Sequence, residues 1–273
     1  MFKPAAVFIG LRYFFAGQRS ALLVSFISLL AIAGLVLGVA LLIIVLSVMN
    51  GFDRELRDNI LSVVPHVQLI HQSGVEDWQS ERDNIMQMDR VTDAVPYADA
   101  EGLMSHRQNA RPVQLLGLSA TAMPAGLASV LTRYNLAIPA QGGVLISEVI
   151  ADALNAKTNQ RVSMIVPAEN GRSTNVYSFI VEGVFATHTE LDQSLVIASL
   201  PQVAEIAGIP NRAQGFRLQV NDQFNARNIG FEIINQLPFG YGFRDWFQTH
   251  GNLYQAIQPV SYTHLTLPTT PYV

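Results

Sequence analysis

ALLVSFISLLAIAGLVLGVALLIIVLSVM, residues 21–49, carries no charged side chain in 29 positions. As an α-helix it reaches roughly 43 Å at about 1.5 Å per residue, against a hydrocarbon core of about 30 Å. A single segment crosses a bilayer only as a helix, because each backbone N–H and C=O has to be satisfied within it. Helices of soluble proteins seldom run beyond about 25 residues without caps. A cleaved secretion signal has an apolar core of about 7–15 residues ending in small side chains, whereas this run is longer and finishes in VMNGFDREL. Residues 21–49 therefore read as a retained transmembrane helix.

The flanks orient it. Lys3, Arg12 and Arg19 precede the span without any acid, while Arg54 and Arg57 follow it among Asp53, Glu55 and Asp58. Basic residues mark the cytoplasmic side, so the N-terminus is expected inside and the large remainder outside. Residues 1–20 mix Phe2, Phe8, Tyr13 and Phe14 with spaced cations, the pattern of an amphipathic segment at the cytoplasmic surface. Within the span, Gly34 and Gly38 form a GxxxG pair beside Ala31 and Ala40. Small residues on one face let a second helix approach closely. Past the span, Phe52, Leu56, Ile60 and Val63 recur at helical spacing, predicting a stalk over residues 50–64 that Pro65 stops.

Beyond the stalk, strand-like and helix-like stretches alternate. His66–His71, Val91–Tyr97, Gly102–Arg107, Pro112–Leu118, Val144–Ile146, Val162–Val166, Val176–Ala186, Ser194–Ala198 and Gly215–Val220 read as strands. Helices are predicted over Trp78–Met88, Thr121–Leu131, from an N-cap at Ser147, and over Leu200–Ala207, Asn225–Gln236 and Trp246–Ile257. PAENGRSTN, residues 167–175, reads as a hairpin, and TELDQ, residues 189–193, as a turn with exposed carboxylates. The fold class is α+β, with one external domain over residues 65–258.

Composition removes several chemistries. Cysteine is absent, which excludes disulfides, thiolate catalysis and Cys-based metal sites. Lysine occurs only at Lys3 and Lys157 and no GxxxxGK[ST] is present, so a phosphate-cradling P-loop is ruled out. A net charge of −4 gives no basic stripe for nucleic acid. His66, His71, His106, His188, His250 and His264 fall in no ligand spacing, which makes surface or structural roles the default and predicts no metal site. Without GxSxG, SxxK or HExxH, the chain is expected to perform no covalent chemistry.

FIGLRY (8–13), VLSVMNGFDREL (45–56), ILSVVPH (60–66), GVLISEVIADAL (143–154), VSMIVP (162–167), LDQSLVI (191–197) and GNLYQAIQ (251–258) together resemble the LolC/LolE family, permease subunits of the lipoprotein-releasing ABC transporter of bacterial inner membranes. The resemblance covers residues 2–258 and implies a MacB-like periplasmic domain of two subdomains between a first and a second span. It implies four spans, a second permease subunit, a cytoplasmic ATPase dimer that holds ATP and Mg, a lipoprotein substrate and a periplasmic lipoprotein chaperone. No cofactor is expected in this chain itself. The lipoprotein and its lipid are accepted in this family beside the first span, and the matching positions are Leu42, Val45, Val48 and Met49. The hairpin matches the family's chaperone-facing element, which places Arg172, Ser173 and Thr174 there.

Two departures accompany the resemblance. The hairpin is short, and the positions aligned with arginines of the chaperone-docking subunit are Ser163 and Tyr177, so the chain looks closer to the LolE type. After GNLYQAIQ the sequence turns to PVSYTHLTLPTTPYV, and residues 259–273 are expected to be a non-native tail on a truncated chain. The rival expectation is a single-span, membrane-anchored periplasmic scaffold or ligand-binding protein. Residues 1–20 supply no signalling module for it.

Overall fold

One uninterrupted helix, α1 (Leu22–Glu55), holds all but the first residue of the expected span in this computed structural model, which describes residues 12, 22–55, 64–167 and 174–248. Most of the N-terminal amphipathic segment, residues 56–63 of the stalk, Arg172 and Ser173 of the hairpin, and the tail lie outside the described residues. The chain divides into two compact units, Met1–Arg57 and Asp58–Val273. In the first, Phe26–Gly51 is long and apolar enough to cross a bilayer, and none of it is buried within the protein. Its Leu, Ile, Val and Phe side chains stand more than half exposed. Water alone does not support an apolar surface of that extent.

Among its described residues the second unit is built on nine strands: β1 (Val67–Val75), β2 (Val91–His106), β3 (Asn109–Leu118), β4 (Gly143–Ser147), β5 (Arg161–Pro167), β6 (Thr174–Phe185), β7 (Leu195–Ser199), β8 (Ala213–Val220) and β9 (Tyr241–Asp245). Accompanying them among the described residues are the helices α2 (Trp78–Met86), α3 (Ala125–Arg133), α4 (Glu148–Leu154), α5 (Leu200–Ile206) and α6 (Ala226–Ile234). The strands pair in the order β3-β7-β4-β6-β5-β2-β8-β1-β9, and β3 also pairs with β2. That last pairing closes β2, β3, β7, β4, β6 and β5 into a ring, and leaves β8, β1 and β9 as a limb.

The long strand β2 belongs to both parts. Its first half pairs with β8 from Val91 to Tyr97, and its second half with β3 from Tyr97 to His106. Leu103–Ser105 also pair with β5 and shut the ring. The closure passes at Gly102, where an added Cβ would sit 2.5 Å from the Ile165 carbonyl oxygen. The two strands expected over Val91–Tyr97 and Gly102–Arg107 are thus one. The Ala98–Glu101 stretch between them, which lacks strand-forming side chains, is carried through by pairing with β3.

Other local readings meet the structure at definite residues. Ser147 does cap α4, its hydroxyl accepting the Ile150 N–H at 3.2 Å. The helix expected from Thr121 begins instead at Ala125, because Ser119 and Ala122 bridge to each other and Pro124 is the N-cap. Strand β9 had no counterpart in the sequence reading. The GYGFRD segment is poor in strand formers and is ordered by pairing with β1.

Three apolar clusters hold this unit together. Strands β4 and β7 and the second half of β3 are buried on both faces, which is why β4 reads as the continuous run GVLIS. On one face Leu115, Ile146 and Val196 pack with Ile150 and Leu154 of α4 and Val203 of α5. On the other, Leu116, Leu145 and Ile197 pack with Leu127, Val130 and Leu131 of α3. In the limb, Val67, Leu69, Phe216 and Leu218 pack with Ile85 of α2 and with Ile229 and Ile233 of α6.

Candidate functional site

The four residues matched to lipid acceptance share one side of α1. At about 100° per residue, Leu42, Val45, Val48 and Met49 fall within an arc of roughly 120°. Gly34 and Gly38 project into the same arc, one to two turns toward the N-terminus. Leu42, Val45 and Val48 are more than half exposed and Met49 is partly exposed. A Cβ added at Gly34 or Gly38 would meet nothing within 4 Å. This face therefore combines branched apolar side chains, one pliable thioether and a shallow glycine notch. Such a surface accepts acyl chains or a second helix, and contains no group for acid–base or nucleophilic chemistry.

The hairpin's strands are in register up to its described ends, with Thr174 opposite Pro167 and exposed to solvent. Ser163 and Tyr177, the two positions that carry the subunit assignment, do not share a face. Met164 pairs with Tyr177 and Ser163 with Ser178, and the Tyr177 ring packs against the apolar cluster that contains Met164. Ser163 lies on the opposite face, its carbonyl accepting from the Ser105 hydroxyl at 3.3 Å.

The TELDQ reading is corrected in one respect. Asp192 is only 5% exposed, at the heart of a 3-10 turn over Glu190–Gln193. Its carboxylate accepts from the N–H groups of Thr187 and His188 at 3.0 and 2.9 Å and from the Thr187 hydroxyl at 2.7 Å. The Ser147 hydroxyl donates to its backbone carbonyl at 2.6 Å, tying the turn to the cap of α4. His66 is also buried, and the Val220 N–H donates to its Nδ1 at 3.1 Å, a structural role. Among the described residues no three His, Asp or Glu side chains gather as a metal site would require.

Sequence reading passed over Arg217. It stands between Phe216 and Leu218 in the alternation of β8, on the face opposite theirs, and burial lowers its pKa to about 10, with Tyr97 and Asp99 acting in the opposite sense. A charged side chain in mid-strand was the signal available. Its neighbours came from strands far apart in sequence.

An apolar helix followed by a mixed ring-and-limb domain is the framework in which the comparisons with known proteins fall. The chain belongs to the family of MacB-like periplasmic core domains, whose model matches residues 28–236. Within that family its sequence relatives are the LolC and LolE transmembrane proteins. It is 28% identical to the lipoprotein-releasing system transmembrane protein LolC of Neisseria meningitidis over 267 residues, covering 92% of this chain and 63% of that protein. It is 26% identical to the corresponding LolE of Haemophilus influenzae over 264 residues, covering 92% and 63%. The chain thus spans somewhat under two thirds of the length of these relatives, and LolC and LolE match it about equally. By structure it is similar to the periplasmic region of MacB from Actinobacillus actinomycetemcomitans, at a TM-score of 0.40 and 12% identity over 74% of this chain and 96% of that one.

Proposed function

We propose that this chain is part of a permease subunit of an ABC transporter that extracts lipoproteins from the bacterial inner membrane and hands them to a periplasmic chaperone. The observation that carries the reading is the bare α1 face, where Leu42, Val45, Val48 and Met49 continue into the Gly34–Gly38 notch, in a chain whose relatives are lipoprotein-releasing transmembrane proteins. The helix spans with its N-terminus in the cytoplasm, and the ring and limb form two periplasmic subdomains. Gly34 and Gly38 pack against the span of a second permease subunit, and the upper residues meet the acyl chains of the lipoprotein. ATP and Mg are held by a separate cytoplasmic ATPase dimer, and the stalk over residues 50–64 carries its motion outward. Ser163 and Tyr177 in place of arginines favour the LolE type, so lipoprotein rather than chaperone is the main contact.

Site-specific photo-crosslinking in cells tests this. A photoreactive side chain at Met49 is expected to give lipoprotein adducts, and one at Thr174 few chaperone adducts. No lipoprotein adduct at Met49 would remove the transport reading. Strong chaperone adducts at Thr174 with none to lipoprotein at Met49 would reverse the subunit assignment.

A further inference from the structure

The limb of the sheet ends at β9, which pairs with β1 on one side; among the described residues no strand lies on its other side. Backbone groups alternate between the two sides along an antiparallel strand. The Gln72 N–H donates to the Gly240 carbonyl at 3.1 Å and the Trp246 N–H to the His66 carbonyl at 3.1 Å, so the even-numbered residues of this segment face β1. The N–H and C=O groups of Tyr241, Phe243 and Asp245 therefore point outward along the open edge.

Edge strands are commonly blunted by bulges, prolines or inward-pointing charges. The register of β9 with β1 runs unbroken from Tyr241 to Asp245, and the strand contains no proline. Its one exposed charge, Arg244, stands on the face opposite Tyr241 and Phe243 and so does not lie across the edge. On the apolar side α6 packs over the strand, close enough that a Cβ at Gly230 would sit 2.5 Å from the Phe243 ring. Its neighbour Phe231 meets Phe243 edge-on, at 4.9 Å between ring centroids, and is still 53% exposed. Phe239, in the turn that leads into β9, is 99% exposed. Outward backbone groups beside uncovered aromatic rings are what an extended polypeptide needs to join a sheet as its next strand.

The size of the edge bears on the occupant. A stable protein–protein interface buries about 1,200–2,000 Å² in total, far more than five residues and two rings offer to a second copy of the chain. Such a short edge suits a segment already tethered nearby, because a tether raises the local concentration to about the millimolar range and makes weak pairing sufficient. A polypeptide fixed in the bilayer by its own acyl chains is tethered in this way. Main-chain hydrogen bonds also place few demands on sequence, which fits a carrier of more than one cargo.

We propose that the open edge of β9 takes up, as an added strand, the extended polypeptide next to the acylated residue of a bound lipoprotein. The proposal rests on the transport reading and names the part of the substrate that the external unit touches.

Amide-resolved hydrogen exchange of the full chain in detergent micelles tests it. The probes are a triacylated cysteine lipopeptide with an uncharged tail of about fifteen residues, roughly 50 Å when extended, and the same lipid without a tail. The tailed probe is expected to slow exchange at Tyr241, Phe243 and Asp245 about tenfold or more, with Gly242 and Arg244, which face β1, unchanged; the tail-less probe should alter none of them. F231S, at an exposed position, should weaken that protection about threefold or more, while a photoreactive side chain at Met49 still captures the lipid. Capture of both probes at Met49 without protection of the three amides overturns the proposal and leaves the transport reading standing. No capture at Met49 removes both. Protection that needs no probe and grows with protein concentration assigns the edge to a second copy and likewise overturns the proposal.

Discussion

Asp192 shows how much one side chain can hold in place. Its carboxylate closes the Thr187–Gln193 turn by accepting from two backbone N–H groups and a hydroxyl while almost fully buried. Replacing it with alanine strands buried donors, which costs about 1–3 kcal/mol for such a group and more where the acceptor was charged. D192A is therefore expected to lose about 2–4 kcal/mol in urea unfolding, and a loss below about 0.5 kcal/mol would refute the role. The contrast with Ser147 explains what was legible here. A helix cap bonds three residues ahead and follows an obvious strand-to-helix change, so sequence reveals it. The Asp192 carboxylate folds back on residues four and five before it, and acid-rich TELDQ looks like any solvated turn.

At the scale of elements, the ring depends on a missing side chain. An alanine at Gly102 would press its Cβ on the Ile165 carbonyl, a backbone atom that cannot rotate away. G102A is expected to destabilise by about 1–3 kcal/mol, while G242A, where the Cβ meets nothing, should stay within about 0.5 kcal/mol. Thermal denaturation of the two variants side by side checks this, and equal midpoints would contradict it. Elements with a strong period were legible: α1 from its charge-free run, β4 from its unbroken apolar residues, α4 from its cap. Elements made by pairing were not. β9 has glycine and arginine positions that face away from the core and is specified by β1, far off in sequence, while the middle of β2 has alanines and acids and is specified by its pairing with β3. The chemistry of α1 was legible as composition, but its single face appears only once Gly34, Gly38 and Leu42 are placed on one helix.

For the whole external unit, the shared strand β2 makes ring and limb parts of one sheet. Tyr97 pairs on both sides at the junction of its halves, and Trp78 packs against the apolar clusters of both ring and limb, so urea unfolding is expected to show one transition. Hydrogen exchange would find amides of β4 in the ring and β8 in the limb opening at the same denaturant concentration. Two separate transitions would show that the halves are independent. Fold class was readable at this scale because strand and helix patterns alternate. The ring was not, since its closure rests on three paired residues, Leu103–Ser105. The backbone N–H of Trp246 donates to the His66 carbonyl at 3.1 Å, and Val67 pairs with Asp245. Residues 66–67 and 245–246 therefore run side by side, and a module whose entry and exit are neighbours can be spliced between consecutive segments of a host without stretching either. Grafted into the loop of an unrelated two-helix membrane protein, it would fold as a removable cassette.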